Sequence, residues 1–138
     1  MKAPQPIEIR IELLRSLKDK VPRGRYAILC SIIDRLGGNV LDYQNKHKTK
    51  KWKRITKPKL HSGQYYQNEI RFQECLRLVA PSQGSVRPSM ILLFELFMLK
   101  SKEFSCDQVL GWGVFPLLNP QFEINQGKFK VSILFSFY

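Results

Sequence analysis

A strict alternation of apolar and polar side chains marks both ends of this chain. Residues 7–13 place Ile or Leu at every second position, with Glu or Arg between them. Residues 128–137 do the same: their odd positions from 129 onward are Phe, Val or Ile, interleaved with Lys128, Lys130, Ser132 and Ser136. A period of two is that of a strand with one buried face. The pattern therefore predicts a long first strand and a regular last strand.

Shorter apolar segments lie between these two. Residues 26–33, 69–73 and 109–118 predict strands, each bounded by turn-forming residues. Residues 46–59 predict a third strand or a pair of short ones, because proline limits their length. Residues 90–99 are almost continuously apolar, which fits a strand covered on both faces or a short buried helix.

Seven predicted strands and no amphipathic helix indicate an all-β protein, an antiparallel β-sandwich. A chain of 138 residues is long enough for one core, so we expect a single domain over residues 1–138 with a flexible start at residues 1–6. Within the strand at 109–118, Gly111 and Gly113 predict a bulge or a close backbone contact.

The charge of the chain is concentrated in residues 46–59, KHKTKKWKRITKPK, and no acidic residue lies between Asp42 and Glu69. With a formal net charge of +12, this basic run predicts an anionic partner. The alternative is a solvated segment that only aids solubility. Trp52 could insert at a membrane interface or stack on a base, or simply pack in the core. The candidate binding residues are Lys46, Lys48, Lys50, Lys51, Trp52, Lys53, Arg54, Lys57 and Lys59.

Few residues indicate disulfide, membrane-targeting, metal-binding or catalytic chemistry. Cys30, Cys75 and Cys106 form no C-x-x-C pair, which predicts a reduced, intracellular protein. The N-terminus lacks a signal-peptide pattern, and the longest apolar run is about half a membrane span. His47 and His61 lack neighbours at metal-ligand spacing, so we predict no metal and no cofactor. No catalytic motif is present, and we expect no enzymatic activity.

Several stretches together resemble a C2 domain over nearly the whole chain. They are the opening IEIRIELLRSL, then RGRYAILCSI, the lysine-rich KTKKWKRITKPK followed by QNEIRFQ, the apolar ILLFELFML, and DQVLGWGVFPL, which ends in the Pro-Leu typical of one family strand. The resemblance implies a Greek-key sandwich of eight strands, with loops that often bind calcium and a lysine-rich strand that often binds phosphoinositides.

The chain departs from that family in two respects. Calcium requires about six to eight oxygen ligands, but the first loop offers only Asp19 and the third only Glu103 and Asp107, while Phe97 and Met98 replace the paired aspartates of the family. We therefore predict a calcium-independent type. Seven strands are counted instead of eight, so a terminal strand is expected to be missing, which would leave an open apolar edge near residues 129–137.

These observations lead to one main hypothesis and two alternatives. The first is a C2-like membrane-targeting or scaffold module that docks on phosphoinositide, phosphatidylserine or an acidic protein. The second is a protein-interaction module that uses the open sheet edge. Nucleic-acid binding is less favoured, because no reading motif is recognisable. The resemblance implies a cytoplasmic protein peripheral to a membrane, with a trafficking, ciliary or flagellar assembly as the setting.

Overall fold

The computed structural model of the protein describes residues 3–15, 22–35, 37–38, 54–64, 66–101 and 106–135. In these ranges the chain forms seven β-strands and no α-helix. The strands are β1 (Gln5–Arg15), β2 (Gly24–Ile33), β3 (Lys59–His61), β4 (Glu69–Ala80), β5 (Ile91–Met98), β6 (Gln108–Pro116) and β7 (Leu134–Phe135).

The strands form two antiparallel sheets. β1 and β4 make a two-stranded sheet, and the other five make a sheet of order β3-β2-β5-β6-β7. The prediction of an all-β, antiparallel protein is confirmed. The helical alternative for residues 90–99 is wrong: β5 is a strand whose Leu92, Leu96 and Met98 are buried.

The two sheets share their core. The alternation predicted for residues 7–13 holds in β1 as far as Glu12, with the isoleucines turned inward and Glu8, Arg10 and Glu12 exposed. It fails at Leu13, because the register against β4 shifts between Ile11 and Leu13, and Leu14 packs in the core instead. One cluster combines residues of β2, β4 and β5 with Leu117 and Leu118, and a second lies around Tyr26 and Phe72. Phe94 and Ile11 pack against both clusters, so the architecture is sandwich-like.

The last predicted strand is largely wrong. Only Leu134 and Phe135 pair with β6, residues 128–133 form no strand, and residues 136–138 lie outside the described residues. The inner face of β6 explains why residues 128–133 do not form a strand. Phe115 packs into the core, and Gly113 shares its face. The phenyl ring of Phe129 lies on that of Phe115, with centroids 4.5 Å apart, so the segment covers β6 instead of extending the sheet.

Both structural roles predicted for the two glycines of β6 are present. The register of β5 against β6 shifts between Leu96 and Phe97, at a bulge next to Gly111. A Cβ atom placed on Gly113 would lie 2.5 Å from the carbonyl oxygen of Ser132 and 3.1 Å from Cγ1 of Val131. Only a residue without a side chain allows residues 131–133 to approach β6 so closely.

Candidate functional site: the anchored end of the basic run

The basic run lies partly outside the described residues. Residues 46–53 fall there, and with them six of the nine predicted site residues, namely Lys46, Lys48, Lys50, Lys51, Trp52 and Lys53, as well as His47. The remaining three, Arg54, Lys57 and Lys59, are described. Lys57 is exposed, whereas Arg54 and Lys59 are half-buried.

The chain is attached to β2 directly after Arg54. Ile55 forms an antiparallel bridge with Leu29. Thr56, which is buried, donates its backbone N–H to the carbonyl of Ile28 over 3.0 Å, and its Oγ1 accepts the N–H of Ile28 over 2.9 Å. A buried threonine that satisfies both backbone groups of one residue fixes the register of the segment. The C-terminal end of the basic run is therefore held at the edge of the large sheet.

A second attachment joins the run to the other sheet. The backbone N–H of Lys57 donates to both carboxylate oxygens of Glu74 on β4, over 3.0 and 3.2 Å. Because the backbone makes this bond, the ammonium group of Lys57 is not needed for it. The backbone of Lys57 is consequently held in place, while its side chain stays exposed.

His61 secures the short strand β3 from within. It is 3% exposed, its Nε2 lies 2.8 Å from the carbonyl oxygen of Gln67, and its Nδ1 accepts the N–H of Gly63 over 3.1 Å. Since Nδ1 accepts, the proton lies on Nε2, which donates to the carbonyl. The ring also meets Tyr26 edge-on. In this structure His61 acts as a structural residue.

Strand pairing adds residues that the sequence analysis missed. Arg25 is opposite Leu60 in the β2–β3 pair, and opposite residues share a face of the sheet. Both are exposed, Leu60 to 65%, and Tyr66 nearby along the chain is 66% exposed. Exposed Arg25, Leu60 and Tyr66 thus lie outside the basic run itself, whose exposed cation among the described residues is Lys57. Only the pairing of β2 with β3 could have linked Arg25 to this surface.

Burial accounts for the chemistry of Cys30. Its side chain lies in the core between the sheets, and loss of hydration raises the pKa of the thiol to about 12, which the positive charge of Arg54 partly opposes. The thiol stays protonated at neutral pH and behaves as a small apolar group.

The loops considered for calcium are described only in part. Asp19 and Glu103 lie outside the described residues, and the carboxylate of Asp107 accepts the backbone N–H of Lys100 over 2.6 Å. In the portion of the chain that is described, no three His, Cys, Asp or Glu side chains are grouped so that they could hold a metal ion. The described residues also contain no helix of the length and apolarity needed to span a membrane.

Glu95 is the acidic residue on the outer face of β5. It lies between Leu29 of β2 and Trp112 of β6, and no described residue forms an ion pair with it. Partial burial among apolar neighbours raises the pKa of this carboxyl group. The folded state therefore holds the proton of Glu95 more tightly than the unfolded state does.

We expect Glu95→Gln to stabilise the protein at neutral pH. A raised folded-state pKa opposes folding above that pKa, and the cost is lost as the pH falls through it. The melting temperature of the variant should exceed that of the wild type at pH 7, and the difference should shrink towards pH 4. Thermal unfolding at several pH values measures this, with Glu123→Gln in an exposed turn as the control. A pH-independent difference would contradict the assignment.

Comparison of the chain with protein-family models and with curated proteins found no match.

Proposed function

We propose that this protein is a calcium-independent docking module that attaches to anionic phospholipid through the basic run at residues 46–59. The observation that carries the proposal is the fixed attachment of this run: Ile55 and Thr56 bind it to β2, and Lys57 is bonded to β4. A segment whose lysines served only solubility would not require anchors to both sheets. The finer fold we propose is a C2-like Greek-key sandwich of seven to eight strands.

The charge of the run supports a lipid surface. Each basic residue near an anionic membrane contributes about 1 kcal/mol. The run contains eight Lys and Arg residues, and the sequence has no acidic residue between Asp42 and Glu69. Leu60 and Tyr66 are exposed close by along the chain and can enter the headgroup region, where apolar and aromatic side chains add to electrostatic attraction. An acidic protein would meet the same cations. The cellular setting we propose is cytoplasmic, at a membrane-associated trafficking or ciliary assembly.

Charge reversal within the run should abolish docking. We expect the triple variant Lys50→Glu, Lys51→Glu, Lys53→Glu to lose more than about 100-fold in affinity, because three favourable contributions of about 1 kcal/mol each are removed. Co-sedimentation with phosphatidylcholine vesicles containing phosphatidylserine or a phosphoinositide measures the loss. Binding should fall steeply with added salt and remain unchanged when a chelator removes calcium.

A matched variant distinguishes the effect of the basic run on binding from the effect of the net charge of the whole chain. Arg87→Glu, Lys128→Glu, Lys130→Glu changes the net charge by the same amount at exposed positions elsewhere, and it should retain most of the binding. If both triple variants lose affinity equally, the attraction is non-specific. If the first one binds vesicles as the wild type does, the lipid proposal is wrong.

A further inference from the structure

The large sheet is apolar on the face that points away from the core. Alternate residues of β5 point outward, and the residues opposite them on β6 share that face. On β2 the outer positions Ala27 and Ile33 are buried, so the accessible part of this face lies on β5 and β6. An antiparallel sheet whose outer face meets water normally carries polar side chains there. The central outer residues of β5 and β6 are instead Leu93, Phe97, Val109, Trp112 and Val114, with Glu95 as the one charged member of the set.

Part of this face is a pocket of about 350 Å³. Glu95 and Trp112 line it, and they are directly opposite each other in the β5–β6 pair. Leu93, Val109 and the turn at residues 37–38, which follows β2, form further parts of its wall. The lining residues of β5 and β6 are half-buried or, at Val109, 38% exposed, so solvent reaches the pocket. Its volume is at the lower end of the range for small-ligand sites. We refer to it as the Glu95 pocket.

The carboxylate of Glu95 is the only charged group in the described lining of the pocket. No described residue forms an ion pair with it, and partial burial alone raises its pKa. Asp34 and Arg35 belong to the turn that leads to residues 37–38, but neither lines the pocket. A carboxylate that loses hydration without gaining a cation destabilises the folded protein. A ligand that brings a positive charge to Glu95 removes this cost on binding.

The other walls determine what kind of cation fits. Leu93 and Val109 are aliphatic, and the ring of Trp112 attracts cations. A hard metal ion needs about six oxygen ligands, which one carboxylate cannot supply. A neutral apolar group would leave the carboxylate without a partner. The pocket therefore selects an organic cation whose charged group is attached to a hydrocarbon arm.

Among the basic groups of proteins, the guanidinium of arginine fits this combination better than the ammonium group of lysine. A guanidinium is planar, binds a carboxylate through two hydrogen bonds, stacks on aromatic rings and is less strongly hydrated. The face also continues beyond the pocket as apolar Phe97 and Val114, and Val114 is 37% exposed. Residues that flank the arginine in a polypeptide would cover these side chains, which a free small molecule would not. A polypeptide is therefore favoured as the source of the cation.

We propose that the Glu95 pocket binds an arginine side chain of a partner polypeptide, with the guanidinium on Glu95 and Trp112 and the aliphatic stem against Leu93 and Val109. The interaction is independent of the lipid proposal, since the basic run at residues 46–59 takes no part in it. It also differs in place from an edge at residues 129–137, where β7 is only two residues long.

The tripeptide acetyl-Val-Arg-Val-amide is the probe. Its citrulline counterpart is the matched control, because citrulline has the shape of arginine without the charge. Binding is followed through the indole N–H signal of Trp112 in NMR spectra of the Trp52→Phe variant, which has no other tryptophan. We expect a saturable shift with the arginine peptide and an affinity at least roughly ten-fold lower with the citrulline peptide. The corresponding lysine peptide should also bind more weakly than the arginine peptide.

Three results of this titration would overturn the proposal. They are equal binding of the arginine and citrulline peptides, no saturable shift with the arginine peptide, and tighter binding of the lysine peptide than of the arginine peptide. The first would remove the charge of Glu95 as the basis of recognition, the second would remove the pocket as a site for arginine, and the third would remove the preference for guanidinium.

Glu95→Gln tests the location of the site. The substitution removes the charge and keeps the shape, and it is expected to stabilise the fold at pH 7, so a loss of binding would not reflect unfolding. The variant should bind the arginine peptide at least roughly ten-fold more weakly and the citrulline peptide as the wild type does. Glu123→Gln changes the net charge equally in an exposed turn and should alter neither affinity. An equal loss of binding in both variants would overturn the proposal. A lower melting temperature of Glu95→Gln at pH 7 would do the same, because it would show that a cation of the chain itself already pairs with the carboxylate.

Discussion

Replacing Gly113 with alanine is expected to destabilise the protein by about 2 kcal/mol, as overpacking of a tightly packed site typically does. The new methyl group would lie 2.5 Å from the carbonyl oxygen of Ser132, a distance that a real Cβ does not adopt. A backbone atom is less able to move aside than the end of a flexible side chain, so residues 131–133 must leave the surface of β6. The midpoint of chemical denaturation should fall accordingly.

Limited proteolysis shows whether the loss of stability in the Gly113→Ala variant arises at residues 131–133. Displacement of residues 131–133 should separate the rings of Phe115 and Phe129, which are in contact in the native state, and accelerate cleavage in the C-terminal segment. Gly84→Ala is the matched control, because nothing lies within 4 Å of its added Cβ, and its stability should change by less than about 0.5 kcal/mol. Equal stability of the two variants would mean that the contact at Gly113 is not retained in solution.

A comparison of β1 with residues 128–133 shows why an alternating pattern predicts the fold in one place and not in the other. From Ile7 to Glu12 of β1, alternation is translated directly into an inner and an outer face, because the neighbouring strand β4 alternates as well. Beyond the register shift between Ile11 and Leu13, Leu14 packs in the core instead of Leu13. Residues 128–133 alternate just as regularly, but a periodic pattern states which side chains prefer burial and not which strand is adjacent. Against the inner face of β6, where Gly113 has no side chain, Val131 and Ile133 become half-buried without strand pairing, whereas Phe129 stays 51% exposed.

The burial of His61 is a second feature that the neighbouring sequence does not predict. Its surroundings, HSGQYYQ, have the composition of a loop, and nothing in them indicates a buried imidazole. Burial results from distant residues: His61 is opposite Gly24, which has no side chain, and it meets the ring of Tyr26. Such a site depends on the pairing of β2 with β3, which residue types near position 61 cannot reveal.

The candidate site, too, could be predicted from the sequence only in part. The concentration of lysines between residues 46 and 59 is visible in the sequence without any structure. Its attachment is not, because a Thr-Lys pair after Ile55 gives no indication that Thr56 satisfies both backbone groups of Ile28. The attachment fixes the backbone at residues 55–57, and a segment that is already ordered loses less conformational entropy on binding than a free segment does.

Leu76→Ala should have the largest effect on stability of any change considered, about 3 kcal/mol. Leu76 is 1% exposed and belongs to the cluster shared by both sheets, so its truncation leaves a cavity where β4 meets β2 and β5. Urea denaturation measures the loss, and Leu60→Ala, at a position 65% exposed, is the matched control with an expected change below about 0.5 kcal/mol. Because the cavity forms between the sheets, both should unfold in one transition at the lower midpoint. A loss confined to β1 and β4 in hydrogen exchange would instead show that the sheets do not share a cooperative core.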